Sequence, residues 1–451
     1  MIKIERFNLA LISLSCLLPL FLVTGPFLPD LLITLMGILF FFGLIYFKNL
    51  NYLNNFFFKY SLIICSYLII TSLLSSNILL SFESTLPFIR LIFLVLVFNY
   101  LLNIKSNFIK FFSISCISIF VFILIDSIFQ KIFGVNFFLS AINVNQISSV
   151  FGNERILGSY ISRILPIIIG FLILLNINKK KKLYYILIIF FISLLIILFS
   201  GERTALINFI SLFFFIILFN IYNLRNIFLK LLIPFIILIS LIALIDDKVR
   251  SRLITTTISE LKFNDSWSFL PDHHRLHYIS AILIFKDNFI IGSGPKLFRE
   301  LCKDEKYYVK ADDIYNKDNY VINKSPFLNK KKIINSKGQL KYLDEDRMRF
   351  DELNGCSTHP HHTHIQILTE TGLVGYFLFL STICLIIFYI FKTKNNTVTS
   401  FDFNLLMLST ILLNFTPFAP SGNFFNNWLS IVYFLPIALI SFNKNIFKVN
   451  L

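Results

Sequence analysis

Long apolar runs alternate with short polar connections along most of the chain. About twelve of these runs approach the ~20 apolar residues that a helix needs to cross the hydrocarbon core of a bilayer. They cover residues 7–25, 28–47, 60–76, 86–103, 111–130, 156–177, 183–199, 204–222, 227–245, 366–391, 403–419 and 428–443. The pattern therefore predicts an all-α polytopic membrane protein with about twelve transmembrane helices.

One long polar stretch interrupts this pattern and divides the chain into three predicted parts. Residues 1–245 are expected to form an N-terminal transmembrane bundle of about nine helices, and residues 366–451 the last three. Residues 246–365 form a large loop between them, and long loops of this kind are usually functional. Within the loop, Asp272 can cap a short amphipathic helix, whereas residues 303–350 have the composition of a polar insertion.

Composition and charge agree with a membrane protein. The chain is 56% hydrophobic and 15% charged, whereas in a soluble domain about a quarter of the residues are charged. Basic residues gather in alternate connections, at Lys48 and Lys59, Lys105 and Lys110, Lys179 to Lys182, Arg225 and Lys230, and Lys392 and Lys394. Because cytoplasmic connections are enriched in Lys and Arg, we expect both termini in the cytoplasm and the large loop outside. This topology explains most of the net charge of +16, so membrane lipids, and no nucleic acid, are the expected partners of the basic residues.

Six cysteines divide into two groups. Four lie inside apolar runs, where a free thiol behaves as a small hydrophobe: Cys16, Cys65, Cys116 and Cys384. Cys302 and Cys356 lie in the outer loop. A pair outside the cytoplasm predicts a disulfide that closes the insertion, with two free thiols as the alternative.

All seven histidines lie in the large loop, between His273 and His364. Four of them stand within six residues, at His359, His361, His362 and His364. Imidazole titrates near neutrality, which suits it to proton transfer in catalysis. We therefore expect the chemistry of this protein in the loop.

Several arginines lie near the outer ends of apolar runs. Charges in membrane spans are costly and by default mark function, and guanidinium suits bidentate phosphate binding. The residues concerned are Arg90, Arg155, Arg163 and Arg203. Their clustering on one face favours an anion site. The alternative is snorkelling, or pairing with Glu83, Glu154 or Glu202.

Four segments in order carry a resemblance to a known family. They are FGNERILG at 151–158, SGERTA at 200–205, Arg275 followed by FKDNFIIGSGP at 285–295, and HPHHTHIQILTETGLVG at 359–375. The last contains a His-x10-Gly spacing from His361 to Gly372. Together the segments resemble the O-antigen ligase and O-antigen polymerase superfamily of bacterial inner-membrane glycosyltransferases. His362 departs from the pattern, because the family usually has Asn there.

The resemblance implies a function and its partners. The family transfers a glycan from undecaprenyl diphosphate to an acceptor at the periplasmic face of the inner membrane. The acceptor is lipid A-core in a ligase, another repeat unit in a polymerase, and a protein in related enzymes. No metal and no other cofactor is implied. We expect an O-antigen ligase, with the polymerase as the alternative.

The residues carry specific expected roles. His361 is expected to be the general base, with Arg203 and Arg275 binding the diphosphate. Arg155, His359, His362 and His364 are expected to contact substrate. Pro360 suits a first helical turn, which would place His361 at a helix N-terminus. The positive end of the helix dipole would keep its imidazole neutral and attract a phosphate.

Competing interpretations remain at this stage. The four clustered histidines could hold zinc, although no Cys or carboxylate stands beside them at ligand spacing. Glu370, Gly372 and Gly375 could serve helix packing alone. A polytopic transporter is the alternative of another class, although transporters usually place their charges near the bilayer midplane.

Overall fold

The computed structural model describes most of the chain. The described residues are 2–54, 56–104, 107–139, 146–152, 154–263, 266–267, 272–310, 331–334, 340–343, 354–393, 398–417 and 419–440. Within them, nine helices are long and apolar enough to cross a membrane, and three more are apolar but shorter. The protein is therefore a multi-pass, predominantly helical membrane protein.

The twelve predicted runs each correspond to one of these apolar helices. The long ones are α1 (Ile2–Phe21), α2 (Phe27–Tyr46), α3 (Phe56–Leu73), α4 (Ile78–Ile104), α5 (Phe108–Phe133), α6 (Leu157–Leu174), α7 (Lys179–Ser200), α9 (Arg225–Ile245) and α14 (Thr363–Lys392). The shorter ones are α8 (Arg203–Phe219), α15 (Val398–Asn414) and α16 (Asn427–Leu439). Local caps set several ends. Asn178 accepts a hydrogen bond from the Lys180 amide at the start of α7, and Gly201 ends that helix in the left-handed conformation.

The large loop has short elements of its own. They are α10 (Asp247–Arg250), a π-helical turn (Ser251–Thr255), α11 (Thr256–Leu261), α12 (Asp272–Asp287) and α13 (Phe298–Leu301). Strand β1 (Lys262–Phe263) pairs antiparallel with β2 (Ser266–Trp267), and β3 (Lys331–Ile334) pairs with β4 (Leu340–Leu343). The amphipathic helix predicted after Asp272 is confirmed as α12. Most of the predicted insertion at 303–350 lies outside the described residues.

Helix α6 is the centre of the bundle. Of its apolar window, 89% is buried, compared with 11% for α9 at the periphery. Close approach is possible because the helix has glycines where neighbours cross it. Gly158 packs against Ser200 and Ala205, and Gly170 packs against Phe403 and Met407. These close contacts hold α7, α8 and α15 directly against α6.

Alternate helix ends meet at one face of the bundle, which we call the site face. Trp428 donates to the Leu22 carbonyl at 2.8 Å, and Lys131 bonds to Asp246 at 2.7 Å. Asp30, in the first turn of α2, forms an ion pair with Arg90 at 2.5 Å; Arg90 lies near the middle of α4 (Ile78–Ile104) and not at its outer end, as the apolar run starting at 86 suggested. Glu83, which the sequence offered as a partner of Arg90, pairs with Lys296 instead. These contacts tie α1, α2, α4, α5, α9, α13 and α16 together at this face.

Helix α14 is broken near the site face. Gly372 has φ 65 and ψ −171, which is not helical, so the helix consists of two segments. The freed backbone groups find partners in the segment 288–294. Ser293 and Gly294 donate to the carbonyls of Thr369 and Glu370, and Leu373 donates to Phe289. The interlock requires glycine at position 372, because a Cβ there would collide with the backbone of Ile290 and Gly292.

The base of the insertion is closed. Cys302 and Cys356 lie at disulfide distance, with Cα atoms 5.1 Å apart, as the sequence predicts. Beside them the Gly355 amide donates to the Val309 carbonyl at 2.7 Å. Cys302 is fully buried beneath α12 and α13.

The helix break supplies a first prediction. Gly372→Ala adds a Cβ that meets backbone, and it also forces an L-residue into a conformation reserved for glycine. We expect it to lower the stability by roughly 3 kcal/mol or more, measured as the thermal midpoint in detergent. Gly134→Ala is the matched control, since Gly134 has φ 79 and no heavy atom within 4 Å of where its Cβ would lie. Equal losses in the two variants would contradict the interlock.

Candidate functional site

The four clustered histidines form a tight turn at the site face, residues His359–His364, which we call the histidine turn. The turn follows the Cys302–Cys356 bond and ends in α14. The expectation that Pro360 begins the helix is wrong. The first helical residue is Thr363, and His362 caps the helix by accepting from the Ile365 amide at 3.4 Å. His361 thus precedes the cap, with a left-handed backbone at φ 57.

His361 lies at the centre of a group of imidazoles. Ring centroids of His359 lie 4.1 Å away, and those of His274 and His277 each lie 5.4 Å away. His274 and His277 reach it from one face of α12, because residues three apart share a helix face. His361 Nε2 lies 3.1 Å from Ser357 Oγ. From the sequence, the α12 histidines were assigned no catalytic role, and this convergence was not predicted.

His362 and His364 are committed to structural hydrogen bonds. Their Nε2 atoms lie 3.1 Å and 2.8 Å from the carbonyls of Pro417 and Phe415. A carbonyl can only accept, so each Nε2 carries the proton. The Nδ1 of His364 lies 3.1 Å from the Tyr376 hydroxyl, and that of His362 accepts the cap hydrogen bond. Burial also lowers the pKa of His362. Neither ring has a free lone pair for a substrate proton.

His359 is buried beneath the turn. Its Nδ1 lies 3.0 Å from Thr358 Oγ1, and its buried Nε2 lies beneath the turn near the backbone of Ser421. Burial lowers its pKa to about 4; the nearby His277 and Arg299 side chains act in the same direction, and a hydrogen bond with the Ser421 backbone acts against them. His359 is therefore neutral at physiological pH. Arg299, on α13, is a cation beside the turn that sequence reasoning missed, because it stands outside every apolar run and motif.

The connection between α15 and α16 forms the floor of the turn. We call the described residues of this connection, 415–417 and 419–426, the clamp loop. The Ser421 amide donates to the His361 carbonyl at 2.9 Å. Gln366 bonds to Asn423 at 2.7 Å and accepts from the Phe424 amide at 2.9 Å. Sequence reasoning treated this segment as a short outer connection. The available indication was its run of Pro, Ser, Gly and Asn between two apolar runs.

The predicted arginines fall into two places. Arg203 and Arg155 flank the N-termini of α8 and α6, where the Glu202 carboxylate accepts the amides of Gly158 and Ser159 at 2.7 and 2.8 Å. Arg203 reaches Thr257 of α11 at 3.3 Å. Arg275 is exposed on α12, next to His274 of the imidazole group. The structure thus joins the first two motifs through Glu202, and Arg275 directly follows His274, whose ring centroid lies 5.4 Å from that of His361.

Among the arginines that the structure describes, Arg163 is the one most removed from solvent. Its side chain is 5% exposed and bonds to Ser159 on its own helix, α6. The Tyr433 hydroxyl lies beside both Arg163 and Thr363, the first residue of α14. The buried cation therefore stands between the arginine-bearing helix ends and the histidine turn.

An apolar groove opens below the turn, between α3, α4, α14 and α16. Its volume is about 770 Å³, and its lining is mainly aliphatic and aromatic. Phe415, Phe424 and Phe425 of the clamp loop form its upper end. Phe379 lines the groove and also lies 5.7 Å from the ring of His364. Phe379 and Phe415 thus line the groove and also contact His364 of the histidine turn.

No metal centre is formed within the described ranges, where no three His, Cys, Asp or Glu side chains are arranged to hold an ion. The groups present offer two kinds of chemistry. Imidazole can accept a proton, and guanidinium can bind an anion.

The buried state of His359 makes stability depend on pH. Unfolded, His359 takes up a proton as the pH falls through about 6.5, whereas the folded chain does not until about 4. Protonation of the unfolded state alone favours unfolding, so acid should lower the thermal midpoint between these values and leave it unchanged above pH 7. The difference between wild type and His359→Asn, scanned from pH 7.5 to pH 4, isolates this residue. Parallel curves would exclude a neutral buried His359.

Comparison with known protein families finds none that matches the chain, and comparison with curated proteins finds no match either. The geometry of the site face therefore carries the functional argument.

Proposed function

We propose that this protein is a metal-independent membrane glycosyltransferase of the O-antigen ligase type. It transfers a glycan from undecaprenyl diphosphate to a hydroxyl of lipid A-core at the periplasmic face of the bacterial inner membrane. The supporting observation is a histidine turn, held at the helix ends, directly above an apolar groove. Such a site can bind a lipid chain in the groove and perform proton chemistry at its mouth.

The orientation follows the distribution of lysine. The helix ends that meet at the site face leave the Lys-bearing connections at the opposite face, as in the lysine run that begins α7. By the positive-inside rule, that opposite face is cytoplasmic. Both termini are then cytoplasmic, the large loop is periplasmic, and all twelve apolar helices cross the membrane.

His361 acts as the general base. The acceptor hydroxyl gives its proton to an imidazole nitrogen of His361 while its oxygen attacks the anomeric carbon of the donor. His362 and His364 cannot replace it, because both of their nitrogens are engaged. His359 is too weak a base, with a pKa of about 4.

The arginines stabilise the leaving group. The bond between the anomeric carbon and the diphosphate oxygen breaks, and its electron pair leaves with the lipid diphosphate. Arg203 and Arg275 neutralise the charge that develops there, with Arg155 at the rim. His359, His362 and His364 line the acceptor side and maintain the shape of the turn.

Two alternatives have specific points in their favour. A repeat-unit polymerase would use the same groups with a glycan acceptor. A transporter is favoured by the broken α14, since discontinuous helices often bind ions or substrates in transporters. Here, however, the break is filled by the 288–294 segment, which makes it a scaffold for the turn.

The proposal predicts a division among the polar residues. His361→Ala should lower glycan transfer by about 10²–10⁴-fold without loss of folding. Arg203→Ala and Arg275→Ala should also be severe, and Lys should rescue either site poorly because a point charge cannot form the bidentate fork. The measurement is transfer from a lipid-linked donor by purified protein, with and without a chelator.

The controls test whether loop histidines matter in general. His273→Ala should keep most activity. His362→Asn should also be tolerated, because Asn is a preferred helix cap. Near-normal transfer by His361→Ala, or loss of activity to a chelator with recovery on adding zinc, would refute the mechanism. A single short repeat on lipid A-core after gene deletion would indicate the polymerase.

The groove should set the affinity for the lipid chain. Ser61→Trp places an indole in the groove, which Ser61 lines. We expect the KM for a long-chain donor to rise about tenfold, equivalent to about 1.4 kcal/mol of lost chain burial. Ile233→Trp is the control, because Ile233 is 67% exposed on the outside of α9. A donor with a short prenyl chain should be affected much less; equal effects on both donors would place the lipid elsewhere.

A further inference from the structure

The backbone of His361 adopts a conformation that it would not adopt alone. Its φ of 57 lies in the left-handed region, which is sparsely populated by residues that have a Cβ. Such a conformation persists only where the surroundings over-determine it, and it often occurs at functional sites. The contacts that hold it therefore bear on where the imidazole points.

Ser421 of the clamp loop contacts the residues on both sides of His362, namely His361 and Thr363. The Ser421 amide donates to the His361 carbonyl at 2.9 Å. The Ser421 hydroxyl lies 2.7 Å from the hydroxyl of Thr363, the first residue of α14. Thr363 is 2% exposed, so water does not offer a substitute partner. One residue of the clamp loop thus fixes both the carbonyl of His361 and the start of the helix that follows.

The clamp loop is itself anchored. Asn426 caps α16 by accepting from the Leu429 amide at 3.1 Å. Ser430 donates to the Phe424 carbonyl at 2.8 Å, and Asn423 accepts from the Phe425 amide at 2.9 Å. Because the clamp loop is fixed to α16, it can hold the histidine turn in a defined position.

We propose that the clamp loop positions the imidazole of His361, with Ser421 and Thr363 as positioning residues. The proposal rests on the proposed role of His361 as base, but the contacts between the clamp loop and the histidine turn do not involve the substrate. The clamp sets the left-handed backbone of His361 and so the direction of its ring. Neither Ser421 nor Thr363 takes part in the chemical step.

Deleting the Thr363 hydroxyl should release the turn. Thr363→Val keeps the shape of the side chain and removes its bond to Ser421, and Ser421→Ala removes the same bond from the other side. A displacement of about 1 Å in a reacting group can cost about 10²-fold in rate. We expect kcat to fall roughly 10–10²-fold, with KM within about threefold of wild type. Thr363→Ser keeps the hydroxyl and should restore kcat.

The experiment uses the full chain in detergent or nanodiscs and has two arms. The first measures kcat and KM for glycan transfer. The second needs no substrate: diethyl pyrocarbonate modifies neutral imidazole, and peptide mass spectrometry gives the modification rate at His361. Thr363→Val and Ser421→Ala should change that rate relative to wild type, and Thr363→Ser should not. Ser409→Ala is the matched control, since its buried hydroxyl bonds only to the Leu406 carbonyl of its own helix among the contacts described.

Each outcome decides the question. A changed His361 reactivity together with a kcat loss that serine rescues supports the clamp. Unchanged reactivity at His361 in both Thr363→Val and Ser421→Ala overturns it, whatever the effect on activity. If wild type transfers no glycan, the proposed function fails, and the reactivity arm still decides whether the clamp exists. If Thr363→Val does not fold, Ser421→Ala and Thr363→Ser carry the same comparison.

Discussion

Every backbone N–H and C=O group in an apolar environment needs a hydrogen-bond partner, and α14 has two helix ends in its middle. The break at Gly372 frees the carbonyls of Thr369 and Glu370 and the amide of Leu373. The segment 288–294 satisfies all three, and Tyr67 of α3 donates its hydroxyl to Thr371 at 2.6 Å. This exchange fixes the first segment of α14 against the loop and the bundle at once, and the histidine turn is the end of that segment.

The turn is held from a second side by the clamp loop. His361, His362, His364 and Gln366 all bond to it, through backbone and side chains. These hydrogen bonds give the four imidazoles different states although their chemistry is the same. The rings of His362 and His364 donate to carbonyls. The ring of His359 is buried without charge, and the ring of His361 lies beside the Ser357 hydroxyl. The distinction among the four histidines therefore arises from position and not from residue type.

The sequence predicts the features that depend on neighbouring residues. Each apolar helix could be located because its own length and composition suffice, and α12 was located from the Asp at its start and an apolar stripe. The concentration of histidine located the candidate chemistry. The break in α14 depends on residues some 80 positions earlier, as in the Ser293–Thr369 contact with its separation of 76. The side-chain contacts of the clamp join residues 51 to 58 positions apart. No local pattern encodes such contacts, so the start of the helix was misplaced and the clamp loop was missed.

The base of the insertion has a consequence for how this protein can vary. The Cys302–Cys356 bond, the Gly355–Val309 hydrogen bond and the Lys310–Asn354 bridge bring both ends of the intervening segment to one point. The entropy of closing a loop rises slowly with length, by about 0.6 kcal/mol per doubling. Residues between these ends can thus be added, lost or exchanged with little effect on the turn that follows. The sequence between Lys310 and Asn354 can therefore change in evolution while the histidine turn keeps its structure.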